Sequence, residues 1–179
     1  CKIIMICDNI FPHENFPLSK ILLKRLMNKV DGFLVQSSIV ENELKTLIEN
    51  PIYRKRFHPI YNDYPKGVNA MEARSILNIS ESKVVLFFGL VRKYKGLDIL
   101  IKSMNKVFEK NSDIKLLIAG ECYGNKDDYL SLINNSNFKD NIVWVERFIS
   151  DSEVPVFFSA SNVVVLPYRT ASQSGVIPL

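Results

Sequence analysis

Apolar positions along this chain follow two alternating rhythms. Continuous apolar runs at 2–7 (KIIMIC), 32–36 (GFLVQ), 84–88 (VVLFF), 114–119 (IKLLIA), 142–145 (IVWV) and 162–166 (NVVVL) predict buried strands. Between them, segments 19–30, 38–49, 97–109, 126–135 and 151–160 carry the spacing of amphipathic helices. The third of these places Leu97, Leu100, Ile101, Met104, Val107 and Phe108 on one face. Asp98, Lys102, Asn105, Lys106 and Glu109 fall on the other. Ser19, Ser37 or Ser38, and Ser150 or Asp151 suit the N-caps. Phe57–Ile60 reads as a further strand.

Apolar strands alternating with helices of this kind predict an α/β fold, with parallel sheets covered on both faces. Residues 61–83 break the rhythm. They hold a Pro-Lys-Gly turn signal and only a short helix near 71–77. The expected organisation is therefore one doubly wound domain at 1–66, a connector at 67–83 and a second domain at 84–179. The chain starts at Cys1 and stops within the apolar stretch GVIPL, so both domains are expected to be incomplete.

Composition narrows the class. Hydrophobic residues at 47% and charged residues at 23% suit a globular protein rather than a disordered one. No apolar run approaches the roughly 20 residues that span a bilayer, and no signal peptide is visible. The net charge of +4 is spread along the chain: 10 Lys/Arg face 7 Asp/Glu before residue 67, and 13 face 12 after it. That is too mild and too dispersed for a nucleic-acid-binding face. Three cysteines, Cys1, Cys7 and Cys122, argue against a disulfide framework or a zinc site and for a reducing compartment.

In open parallel sheets, ligands bind outside the carboxyl ends of the strands. This directs attention to the loops after residues 7, 36, 88, 119, 145 and 166. After Phe88 come Gly89, then Arg92, Lys93 and Lys95, and then Gly96 opening a helix. Strand, glycine turn, cations and helix N-terminus in that order suit a phosphate. A solvated lysine-rich loop is the plainer alternative. The loop after residue 7 carries His13 and Glu14. His13 suits a hydrogen bond to a sugar or phosphate, or acid–base chemistry, or else is a surface histidine. Glu121 follows one strand, and Glu146, Arg147 and Phe148 follow the next; they suit a nucleobase or ribose, or form charged loops. Gln173, Ser174 and Gly175 are expected to open a second helix. Its N–H groups and hydroxyl would face the same diphosphate as the Lys95 loop.

These residues carry a resemblance. The segments FFGLVRKYKGLDILI (87–101), LLIAGE (116–121), WVERFISDSEV (144–154) and VVLPYRTASQSGVIPL (164–179) resemble the retaining glycosyltransferases of family 4, as do DNIFPHE (8–14) and DGFLVQSSIVENEL (31–44). The resemblance covers nearly the whole chain and implies the GT-B architecture of two Rossmann-like domains. It implies that Lys95 grips the donor diphosphate. Arg92 takes the part of an arginine that the family usually places nearer the strand, at the position of Leu90. By the same resemblance Arg147, Phe148 and Ile149 line the nucleobase pocket, and the backbone of Ser174, Gly175 and Val176 holds phosphate oxygens. Gln173 stands where many members carry the first glutamate of a Glu-x7-Glu motif. His13 faces the transferred sugar and acceptor.

The implied activity is transfer of a sugar from a nucleotide-diphosphate sugar to an acceptor hydroxyl with retention, in polysaccharide or glycoconjugate synthesis. The donor is a substrate; no cofactor and no metal are implied. The acceptor is a saccharide or a lipid-linked saccharide. A GT-B nucleotide-sugar epimerase and a non-catalytic nucleotide-sugar-binding module are the alternatives. The expected place is the cytoplasm. Lys20, Lys24, Arg25 and Lys29 flank apolar residues on the helix at 19–30, which either docks on the inner face of an anionic membrane or covers a sheet with its basic face in water.

Overall fold

A computed structural model describes residues 1–12, 17–61, 64–171 and 174–179. It divides into two compact units, Cys1–Tyr61 with Thr170–Leu179, and Asn62–Arg169.

The first unit holds three parallel strands in the order β1-β2-β3: β1 (Ile4–Cys7), β2 (Gly32–Val35) and β3 (Tyr53–Lys55). Helix α1 (Ser19–Met27) joins the first two, and α2 (Ser38–Leu47) joins the last two. Ser37 caps α2 as expected, accepting a hydrogen bond from the Val40 N–H at 3.2 Å. Two expectations fail here. Ser19 is the first helical residue of α1, and the N-cap is Leu18 in a left-handed conformation with no side-chain cap. The third strand lies at Tyr53–Lys55 rather than Phe57–Ile60. There, Tyr53 packs on the core and anchors to Glu41 at 2.7 Å, whereas the Phe57 ring is exposed and Pro59 has no N–H to donate to a ladder. On α1, Met27 is buried, while Ile21, Leu22 and Leu26 face solvent beside the cations.

The second unit holds four parallel strands in the order β6-β5-β4-β7: β4 (Lys83–Phe88), β5 (Ile114–Ala119), β6 (Ile142–Val145) and β7 (Val163–Val164). Helix α4 (Leu97–Phe108) joins β4 to β5, α5 (Lys126–Asn134) precedes β6, and α6 (Val154–Ala160) leads to β7. Leu97, Leu100, Ile101, Met104 and Phe108 of α4 pack with Phe87, Leu116 and Ile118, which is the face the spacing predicts. Helix α6 starts later than expected. Pro155 fits only the first turn, and neither Ser150 nor Asp151 acts as cap. Instead the Glu153 carboxylate reaches back to the Ser150 N–H at 3.2 Å. The stretch expected as a connector carries α3 (Ala70–Ile76), which packs against α6 within the second unit. Its Arg74 donates to the Ala160 carbonyl and to Asn162, both at 2.9 Å. Among the described residues, no helix is long and apolar enough to cross a membrane.

Candidate active site

The carboxyl ends of three strands finish level: Phe88 lies opposite Ala119, and Ala119 opposite Val145. Past them, the Gly89 N–H donates to the Ala119 carbonyl at 2.9 Å and the Gly120 N–H to the Val145 carbonyl at 3.1 Å. Gly120 has φ 145°, and a Cβ there would collide with the Gly89 carbonyl oxygen, so the two loops press together backbone to backbone. The Val91 N–H then donates to the Glu121 carbonyl at 2.8 Å, and the Tyr123 N–H to the Val91 carbonyl at 3.0 Å. Fully buried Val91 pins this extension of the ladder, and Arg92 emerges immediately beyond it.

The order of the strands decides where a ligand fits. The chain moves outward from β4 to β5 and β6, then returns through α6 to lay β7 on the other side of β4. A crevice opens at such a reversal, outside the carboxyl ends of the two strands. Here its walls are the loop Gly89–Gly96 and the exit of β7, Leu166–Arg169. Lys93–Lys95 forms a single 3-10 turn, and Gly96, left-handed at φ 72°, caps α4. Its carbonyl accepts from the N–H groups of Ile99 at 2.9 Å and Leu100 at 3.2 Å.

Two cations sit on this wall, each against a tyrosine. Lys95 Nζ lies 5.8 Å from the Tyr168 ring centroid, and the Arg92 guanidinium carbon 4.8 Å from that of Tyr123. Burial first, and the charge of Arg92 second, hold the Lys95 ammonium below its usual pKa. No carboxylate of the described residues pairs with Lys95. A half-buried ammonium beside a second cation at the N-terminus of a helix is poised to take an anion.

The structure brings Gly89, Arg92, Lys95 and Glu121 together at this crevice edge, Glu121 through its backbone carbonyl. The nucleobase segment divides three ways. The Arg147 guanidinium is taken up by Glu153, with contacts of 3.0 and 2.5 Å. This pairing, with help from Ser150, holds the Glu153 carboxyl at about 2. Ile149 is buried, while Phe148 is 68% exposed and leaves its ring open to a partner. Ser174, Gly175 and Val176 belong to the first unit. The Ser174 hydroxyl accepts from the Val176 N–H at 3.2 Å, and residues 175–178 form a turn instead of opening a helix. His13 and Gln173 lie outside the described residues. Asp98, expected on the solvent face of α4, instead pairs with Arg169. Tyr123 follows a strand end where a ligand is expected, whereas Arg169 and the aromatic support Tyr168 are given no role by the sequence. The one available signal was an arginine and a tyrosine directly after a strand-closing proline.

The chain is similar to known proteins in sequence and in fold. Residues 70–178 match the family model described as "Glycosyl transferases group 1". Spore coat protein SA of Bacillus subtilis is 25% identical over 117 residues, covering 62% of this chain and 30% of that protein. Alpha-D-kanosaminyltransferase of Streptomyces kanamyceticus is 21% identical over 167 residues, covering 89% and 42%. This chain therefore spans less than half the length of either relative. Among solved structures, Anabaena HepE in complex with UDP and glucose superposes with a TM-score of 0.78 at 13% identity, over 98% of this chain and 49% of that one. WaaG, a glycosyltransferase involved in lipopolysaccharide biosynthesis, gives 0.79 at 12% identity, over 97% and 52%. The fold is thus the α/β, parallel-sheet fold of the GT-B glycosyltransferases. With a family match across more than half its length, the chain belongs to the group 1 glycosyl transferases.

Proposed function

We propose that this chain is the donor-binding portion of a retaining, family 4 glycosyltransferase. It moves a sugar, in our reading a hexose, from a nucleotide-diphosphate sugar to an acceptor hydroxyl in polysaccharide or glycoconjugate assembly. The observation that carries the proposal is the half-buried Lys95 ammonium, with Arg92 beside it, at the β4–β7 switch point. As the bond from the anomeric carbon to the diphosphate breaks, negative charge grows on the leaving oxygens. Fixed cations at that place stabilise the transition state more than the ground state. Lys95 and Arg92 supply that charge in this proposal without a metal or cofactor. Complexes of HepE with UDP and with UDP-glucose support a nucleotide-sugar donor by likeness of fold.

The remaining roles extend the same reading. By the family resemblance, the backbone of Ser174, Gly175 and Val176 holds phosphate oxygens, Gln173 contacts the donor sugar, and His13 faces the sugar and the acceptor. Phe148, exposed at the end of β6, covers the nucleobase. In this reading residues 1–61 serve the acceptor side, and the unit that includes α3 and runs to Arg169 holds the donor. The enzyme works in the cytoplasm. Exposed Ile21, Leu22 and Leu26 among the cations of α1 favour contact with an anionic membrane bearing a lipid-linked acceptor. Liposome flotation with and without anionic lipid tests that contact, and lipid-independent behaviour ends it.

The decisive experiment is a nucleotide-sugar panel on the full-length protein, read by thermal shift and then by sugar transfer. Lys95→Ala should lower turnover about 10²–10³-fold. Undiminished turnover would remove the diphosphate assignment. Donor binding without transfer would point to a non-catalytic module, and interconversion of the donor sugar to an epimerase.

A further inference from the structure

Pro167, Tyr168 and Arg169, just past the end of β7, hold the Lys95 loop. The Pro167 carbonyl oxygen fills the space a Cβ on Gly96 would need. The Tyr168 ring lies 6.1 Å from the Tyr94 ring and 5.8 Å from Lys95 Nζ. The Arg169 backbone N–H donates to the Tyr94 carbonyl at 2.7 Å. Its guanidinium donates to the Lys93 carbonyl at 3.3 Å and forks onto both Asp98 oxygens at 3.0 and 2.7 Å. One arginine therefore ties down the residue two before Lys95, the residue before it, and the first turn of α4 beyond it.

We infer that Arg169, braced by Asp98, is a positioning residue that sets the place and direction of the Lys95 ammonium. This rests on the diphosphate reading of the Lys95 loop. Side-chain exposures of 39% and 25% make the pair a modest source of overall stability. What the bidentate fork supplies is orientation, since two parallel hydrogen bonds fix a plane where one would not. The guanidinium is also committed to protein acceptors and neutralised by Asp98. It acts as a brace on the loop, while Lys95 next to it has no described carboxylate partner. In agreement, Arg169 is the first cause holding the Asp98 carboxyl below its ordinary range.

The test is titration of inorganic pyrophosphate into the intact protein, with variants at three positions. Lys95→Ala examines the diphosphate reading itself, and unchanged binding there refutes that reading. Given that Lys95→Ala binds poorly, Asp98→Asn and Arg169→Met should each weaken pyrophosphate roughly tenfold through a misplaced ammonium. Arg169→Lys should do nearly the same, because an ammonium cannot fork. Were Arg169 itself a phosphate ligand, Asp98→Asn would free its charge and tighten binding. Unchanged or tighter binding in Asp98→Asn overturns the inference and leaves the diphosphate reading intact. Should Arg169→Met not fold, Asp98→Asn and Arg169→Lys decide the matter. A second readout is the pH dependence of Lys95 acylation, followed by mass spectrometry. In Arg169→Lys, which keeps the charge and loses the fork, the midpoint should move up towards that of an ordinary lysine as the loop rehydrates. An unmoved midpoint assigns the pair a structural role only.

Discussion

The α-carbon of Gly96 lies against the carbonyl oxygen of Pro167, so closely that a Cβ on Gly96 would collide with it. Gly96 also has φ 72°, a conformation that costs an L-residue about 1–2 kcal/mol. The contact fastens the loop after β4 to the exit of β7, and any side chain at Gly96 must prise them apart. Gly96→Ala is expected to fold with a lowered unfolding temperature and to lose donor turnover at least tenfold. Gly32→Ala is the control: a Cβ there meets only the Ile52 carbonyl at 3.8 Å, so it should behave nearly as wild type in both measurements.

The lowered pKa of Lys95 has a directional consequence for donor binding. Burial and Arg92 disfavour the charged form, so the ammonium deprotonates below the ordinary lysine value of 10.5. A diphosphate binds the charged form. Donor KM should therefore rise as pH climbs through the lowered Lys95 pKa, earlier than an exposed lysine would allow. The limb should vanish in Lys95→Ala. A profile of identical shape in that variant would assign the limb to another group.

Phe148 invites a test at the nucleoside end. Its ring is 68% exposed, so truncation leaves no cavity in the core. Phe148→Ala should keep the wild-type unfolding temperature and raise the dissociation constant of the donor nucleotide roughly tenfold, as expected for loss of a stacked base. Equal affinities would take Phe148 out of the nucleotide site.

The Arg147–Glu153 pair predicts an acid-dependent term. Glu153 titrates at about 2, below its ordinary 4.5, mainly because Arg147 hydrogen-bonds its charged form. A carboxyl with a depressed folded pKa contributes stability that is full above the ordinary value and lost as pH falls through the depressed one. Glu153→Gln should therefore be slightly less stable than wild type near neutrality, the gap closing towards about pH 2. Urea midpoints across that range measure it. The effect is small because both groups are exposed.

The pattern of apolar residues was enough to locate most elements. Runs such as VVLFF and IKLLIA are too continuous for a one-sided sheet, and the α4 spacing named its buried face residue by residue except for Val107, which is 37% exposed. The failures were local competitions that periodicity cannot judge. Pro155 set the start of α6, Tyr53 displaced Phe57 as the third-strand residue, and Leu18 displaced Ser19 at a cap.

The site divides in the same way. The Lys95 loop is legible in the order of residues alone, because strand, glycine, cations and helix start are consecutive and their chemistry needs no partner from elsewhere. That this loop meets the exit of β7 follows from how the strands pack. Nothing in the order of residues 89–96 and 166–169 states that β7 returns to the free side of β4. That return places Arg169 on Asp98 across 71 residues of chain, turns an apparent solvent-face aspartate into a brace, and leaves Lys95 half-buried against Tyr168. Long-range pairing of this kind depends on sheet order, which is a property of how the strands pack and not of any one of them.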